Sequence, residues 1–310
     1  MLKILRTFFF LILILVPVKQ GISQSSFNSP YSSFGLGDLT FTGFTRNQAM
    51  GGISMGIRNA DYIDYSNPAS YSARDSLSML FEFGVSLQAS QVATEDKSDI
   101  PWDMNFSHLA FSFPVHRKIA VGAGLVPFSL ISYNFIDNIR DGDDDYDPDF
   151  GELDYIFRGE GGMSQIFLGA SYMVARNLSI GVNTNFIFGN MLSLQTISFL
   201  EETNSFNPKI QEEDLISGFN FNLGLQYHTD LGNDWRIVAG GKYTKQSKIN
   251  VRTEFLKTNV LLLTGSSAVI DTLESRTSSK TKETFPSNYG IGFSVSKGEK
   301  FLIGMDYKAT

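Results

Sequence analysis

Cysteine is absent from the 310 residues, which excludes disulfides, thiolate nucleophiles and Cys-bound zinc or iron–sulfur centres. Charge is scarce, at 18% of residues, and the net charge is −7. With no long basic run, nucleic acid is excluded as a partner. The three histidines, His108, His116 and His228, share no spacing, and no G-x-S-x-G elbow occurs. The chain therefore reads as a non-enzyme with no catalytic residue, no metal site and no cofactor. Long apolar blocks are also missing beyond the N-terminus. Val260 to Leu263 is the best later cluster, far short of the about 20 residues a membrane helix needs.

Gly (28), Phe (27) and Tyr (12) are abundant, and aromatics reach 13%. That composition suits β-structure with tight turns and large outward side chains. The N-terminus supplies an address: Lys3 and Arg6 precede the apolar run Thr7 to Val18, the size of a signal-peptide core. Gly21 and Ser23 are the small residues for a cut before Gln24. A short anchor helix is the other reading of the same run. Residues 1–23 are expected to be a signal peptide, and the mature chain to be exported.

Downstream the dominant signal is alternation. Leu178, Ile180, Val182, Phe186 and Phe188 are interleaved with Ser179, Gly181, Asn183 and Asn185. Phe219, Phe221, Leu223, Leu225 and Tyr227 are interleaved with Asn220, Asn222, Gly224 and Gln226. Side chains alternate across a strand, so each segment has an apolar face and a polar or glycine face. Seven more segments follow the rule: Leu77–Leu87, Asn105–Val115, Ile119–Phe135, Ser164–Tyr172, Trp235–Phe255, Tyr289–Val295 and Phe301–Tyr307. In the fifth of these, Trp235, Ile237, Tyr243, Ile249 and Val251 are assigned to the apolar face, and Lys242, Lys248 and Arg252 to the inner one. Pro127 predicts a kink or an edge.

Short links (His116–Lys118, Ala175–Asn177, Leu231–Asp234, Lys297–Lys300) alternate with long polar ones (Ser90–Asp103, Asp137–Glu160, Glu201–Ser217, Thr258–Phe285). This is the plan of an outer-membrane barrel with tight periplasmic turns. A soluble β-sandwich is the competing plan, but its connections do not sort by length. The expected fold is all-β, an antiparallel transmembrane β-barrel over residues 75–310, with outer-membrane lipid around it. Residues 24–74 are expected to be a compact glycine-rich hatch inside the lumen, a periplasmic tail being the alternative.

Specific runs sharpen the expectation. Ala49-Met50-Gly51-Gly52 followed by Asn67-Pro68-Ala69, then Val121 to Phe128, then Phe285 to Gly292 running on to Tyr307, resemble the FadL, OmpP1 and TodX group of outer-membrane transporters. The Ser29-Pro30-Tyr31-Ser32 opening is similar to members from Bacteroidetes-like bacteria. The resemblance implies fourteen strands and a gated N-terminal hatch. It also implies passive, porin-like import of hydrophobic molecules such as long-chain fatty acids across the bacterial outer membrane. Gly51, Gly52, Asn67, Pro68 and Ala69 carry the hatch and gating role by that resemblance. About nine strands are visible here. Bacterial barrels close with an even number, so the expectation is a chain lacking about five strands at its C-terminus. An eight-stranded barrel is the alternative, and its side-chain-filled interior leaves no room for a hatch.

The acidic stretch Asp137–Asp154 contains Asp141, Asp143, Asp145 and Asp147. It is a candidate weak cation loop, without the glycine and terminal glutamate of an EF-hand; a solvated outer loop is the alternative. Two functional classes remain: import of a hydrophobic small molecule, or a barrel partner or shuttle for other outer-membrane proteins in a secretion or assembly complex.

Overall fold

The computed structural model describes residues 29–40, 43–74, 78–89, 91–93, 98–100, 102–200, 206–263 and 266–310. The expected signal peptide lies outside them. The strands are β1 (Asp38–Leu39), β2 (Leu80–Ala89), β3 (Val92–Ala93), β4 (Ser98–Asp99), β5 (Trp102–His116), β6 (Ile119–Ile139), β7 (Leu153–Ala175), β8 (Leu178–Phe199), β9 (Asn207–Gly232), β10 (Trp235–Thr244), β11 (Ser247–Leu263), β12 (Ser266–Thr277), β13 (Thr281–Phe285), β14 (Asn288–Lys297) and β15 (Phe301–Ala309). Thirteen of these strands form one antiparallel sheet; β3 and β4 make a separate hairpin. The protein is all-β with a barrel-type sheet, as the alternation predicts.

The sheet is simpler than its strand count. β10 and β11 pair in succession with β9, and β12, β13 and β14 pair in succession with β11 and β10. Residues 235–263 and 266–297 thus behave as two long interrupted staves. Among the described residues the sheet is not closed, and its order runs from β15 to β2. It nevertheless wraps, because Ser86 of β2 and Lys308 of β15 line the same cavity of about 1100 Å³.

Several strands are far longer than a membrane requires. β7, β8 and β9 have 23, 22 and 26 residues, against about 9–11 for a spanning strand. β10 and β14, with 10 residues each, match that length. The surplus lies in stretches expected to be long loops. β6 extends to Ile139, β7 starts at Leu153, β9 starts at Asn207, and most of 258–285 is strand. The links Glu201–Ser217 and Thr258–Phe285 are thus corrected to strand in large part, and Asp137–Glu160 at its two ends, with 140–152 remaining a loop. Their polarity misled the reading because their charged residues decorate a solvated outer face.

An irregular belt separates the two levels. It contains the register shift between Pro127 and Ser129 on β6, Gly161 and Gly162 (φ 115° and 141°) on β7, and the break between β10 and β11. Below it, toward the short hairpins, the outer face is apolar: Leu168, Val182, Phe221, Leu223 and Ile291 are exposed. The inner face there is polar, with Asn183, Asn222 and Gln226 buried. Above the belt the faces exchange character. Ile131, Met163, Ile187, Met191, Ile216 and Ile249 form a buried cluster, while ion pairs Arg158–Glu160 (2.9 Å) and Arg252–Glu254 (3.0 Å) lie outside.

That exchange corrects the predicted stripe in residues 235–255. Thr244 is buried and Tyr243 exposed, yet after the break at Lys245 and Gln246 it is Ile249 and Val251 that are buried. The break carries one residue more than a two-residue repeat allows, so the parity reverses. Lys248 and Arg252 are exposed, not inward; Lys242 lines the cavity as expected.

Candidate functional site

Residues 43–74 lie against the polar inner face. They contain a short helix, α1 (Thr45–Ala49), and a 3-10 turn at Pro68–Ala73; a second 3-10 turn, Pro30–Ser33, precedes them. Asn67 opens the Pro68–Ala73 turn in the way of an N-cap: its side chain accepts from the Ala69 amide at 3.2 Å. The same side chain donates to the carbonyls of Met55 (3.0 Å) and Leu225 (3.2 Å). One buried amide therefore joins the turn, a neighbouring loop and strand β9.

Seven strands of the sheet make polar contacts in this docking. Tyr71 donates its hydroxyl to Asn183 Oδ1 at 3.1 Å, and Asn183 Nδ2 donates to the Tyr65 carbonyl at 3.1 Å. Gln165 donates to the Tyr65 hydroxyl at 2.8 Å, and Gln226 to the Ile57 carbonyl at 2.8 Å. Asp306 Oδ2 accepts from the amides of Ser54 (2.8 Å) and Met55 (3.0 Å), and Ser294 donates to the Gly56 carbonyl at 2.5 Å. On the far side Glu82 accepts from the Ile63 amide at 2.5 Å, and Phe44 stacks on His108 with ring centroids 4.0 Å apart. Tyr65, Tyr71, Ile63 and Phe44 close an apolar core with Ala110, Ala120, Val126 and Phe167.

The charged groups of this segment are mostly desolvated. Arg58 donates to Gln226 Oε1 at 3.0 Å and Ser72 Oγ at 3.3 Å; burial, aided by nearby Arg236, lowers its pKa to about 10. Arg74 reaches the carbonyls of Ala60 (2.6 Å) and Tyr62 (2.9 Å), and burial lowers its pKa as well. Asp64 is buried, and its pKa is pushed well above the ordinary carboxylate value. Burial is the main cause and nearby Asp306 adds to it, against the Ser66 amide that donates to it at 3.0 Å and against Lys242 and Lys308. The second carboxyl oxygen of Asp64 has no partner.

The residues singled out from sequence fall into three groups. Asn67, Pro68 and Ala69 are buried together at the centre of this contact. Gly51 and Gly52 sit apart, in a turn after α1 with φ of 72° and 83°. An added Cβ at either meets nothing within 4 Å, so they serve the turn's left-handed backbone. The acidic loop lies elsewhere. Asp143 accepts from the Arg140 amide (2.7 Å) and Asp147 from the Asp149 amide (2.9 Å), both exposed. Among the described residues no group of three or more His, Asp or Glu could hold a metal ion.

The sequence reading missed Gly240, Gln226, Asp306 and Arg58 as parts of the site. A usable signal existed for some of them. Gly181 and Gly224 fall on the polar face; the backbone of Pro68 and Ala69 lies directly on the first, and the side chains of Asn67 and Pro68 on the second, while Gly240 is the seat for the Met55 carbonyl. Glycines at inward positions of successive strands mark where a second layer of backbone lies flat on the sheet.

The family model described as BamG matches the chain over residues 1–310, and no curated protein matches it. That match places the chain with outer-membrane β-barrel assembly-related proteins and overturns the resemblance to the FadL, OmpP1 and TodX transporters. Hydrophobic import, with the porin-like and fatty-acid transport properties attached to it, is corrected on the same ground. Among the motifs behind the resemblance, Gly51 and Gly52 form a left-handed turn, Pro127 lies at a register shift and Asn67 caps a turn, all local devices not specific to one family.

Proposed function

Because the chain belongs to the BamG family, we propose that it is a non-catalytic barrel subunit that partners other outer-membrane proteins during their assembly. It sits in the bacterial outer membrane with lipid against the lower apolar face. The observation that carries this reading is the occupation of the inner face. Polar contacts from residues 43–74 reach β2, β5, β7, β8, β9, β14 and β15, and the apolar cluster covers the next level. Such an interior suits a rigid scaffold better than a conduit. The charged extension above the belt supplies a stiff, solvated surface for protein contacts. Residues 1–23 act as the export signal, residues 24–74 as the inner plug and residues 75–310 as the barrel, with Asn67, Pro68 and Ala69 positioning the plug.

The test is purification of the tagged protein from detergent-solubilised outer membranes. Co-elution in constant ratio with components of the β-barrel assembly machinery is expected, together with lower outer-membrane protein levels on depletion. Elution as a lone barrel, with unchanged levels on depletion, overturns the proposal.

A further inference from the structure

The wall of the sheet has a seam. The β5–β6 ladder runs from His116/Ile119 to Leu109/Leu125 and ends there. β5 continues to Trp102 against β2, and β6 continues to Ile139 against β7. Beyond the end of that ladder, the β6 edge is taken by the N-terminal segment. Asp38 and Leu39 pair antiparallel with Leu130 and Ser129. Thr40 donates its amide to the Phe128 carbonyl at 3.1 Å and its hydroxyl to the Pro127 carbonyl at 2.7 Å. Ser29 donates to the Ser132 carbonyl at 2.9 Å, and the Ser132 amide donates to Ser32 Oγ at 3.1 Å.

Three features make this insert unlike an ordinary stave. β1 has two residues, where its neighbours have 15 and 21. Gly37 (φ 79°) precedes it and Gly43 (φ 116°) follows it, so the backbone changes direction on both sides. The cavity of about 1100 Å³ is lined by Asp38 and Thr40 as well as by Ser86 and Ser107 across the seam, which leaves room for a longer extended segment. The insert itself has the pattern of a strand, with Asp38 and Thr40 half-buried and Leu39 exposed. A sheet edge held by so short a segment is a template for an extended chain, with main-chain bonds giving affinity.

The geometry points to the β6 edge at Phe128–Ser132 as a strand-receiving site. Residues 38–40 are its resident occupant, and an alternating β-strand segment of another outer-membrane protein is the occupant that replaces them. The identity of that strand's owner rests on the assembly role proposed above. The existence of the site does not, and the following experiment addresses the site alone.

The absence of cysteine permits a clean lock, Asp38→Cys with Leu130→Cys, in the full chain in detergent. An opened form carries Leu39→Pro and Thr40→Pro, which removes the Thr40 donors. The probe is a fluorescent synthetic peptide copying residues 36–43, with a control peptide bearing proline at the Thr40 position. Saturable anisotropy is expected with the opened form, at least tenfold weaker for the control peptide and absent for the oxidised lock. A folded opened form, judged by far-UV circular dichroism and heat-modifiable gel migration, that binds neither peptide overturns the site. Equal binding to the oxidised lock overturns it as well. Should the proline pair fail to fold, Thr40→Ala with the same peptides serves, read as faster exchange of the peptide than with the native chain.

Discussion

Gly240 on β10 lies directly beneath the carbonyl of Met55, so close that a Cβ at this position has no space. The N-terminal segment rests on the sheet backbone to backbone, and its seats are individual glycines.

The first prediction concerns those seats. In Gly240→Ala or Gly181→Ala the new methyl meets the backbone of Met55 or of Pro68 and Ala69, and a backbone neighbour yields less easily than a flexible side chain. The strands below the belt retain their pairing, so the barrel is expected to fold while residues 43–74 lose protection. Limited proteolysis in detergent checks this: cleavage within 43–74 rises at least tenfold with the barrel core intact. An unchanged digest shows that the segment is not seated there.

A second prediction follows from Asn67. Asn67→Ala removes the side-chain donor to the Leu225 carbonyl, leaves the Met55 carbonyl only the longer bond from Gln226 (3.4 Å), and removes the cap on Ala69. Leaving buried polar groups unpaired costs about 1–3 kcal/mol. Reversible urea unfolding in detergent, or the protease protection of residues 43–74, measures the loss. Asn67→Asp keeps the cap acceptor but not the donors, so it is expected to recover only part of it.

pH supplies a third. Asp64 has a raised pKa in the fold, so the folded state holds its proton more tightly than the unfolded state does. Its contribution to stability is therefore greatest below the ordinary aspartate range. It falls as pH rises from that range to the raised folded value. Asp64→Asn keeps an acceptor for Ser66 and removes the charge. Its melting temperature is expected to exceed that of the native protein at pH 8, with the gap shrinking toward pH 4. A gap that is flat across this range contradicts the assignment.

The belt yields a fourth. Phe221 below it is exposed on the apolar outer face, whereas Arg252 above it stands in a charged one. With no native cysteine, Phe221→Cys and Arg252→Cys can each carry one fluorophore in lipid vesicles. Nitroxide lipids are expected to quench the first and a water-soluble quencher the second. In parallel, Phe221→Lys is expected to cost about 2–4 kcal/mol if it lies near mid-bilayer. Equal quenching of both sites by lipid removes the boundary.

Alternation in the amino-acid sequence alone determined that the chain is a sheet and which face of each lower strand is apolar. Phe219 to Tyr227 and Leu178 to Phe188 can be read directly, because a two-residue period survives any packing arrangement. The Asn67-Pro68 dipeptide is a separate local signal for a turn, since the cap and the proline act within three residues. Three things were left to tertiary structure. Whether Ile249 faces lipid or interior depends on one irregular residue at Lys245–Gln246, which shifts parity without changing composition. Whether 207–218 is loop or strand depends on its neighbours, because its charged outer face is solvated. The partners of Asn183, Gln226 and Asp306 lie 112 to 252 residues away in the chain. Such pairings arise only when the sheet wraps around its N-terminal segment, and no local pattern encodes them.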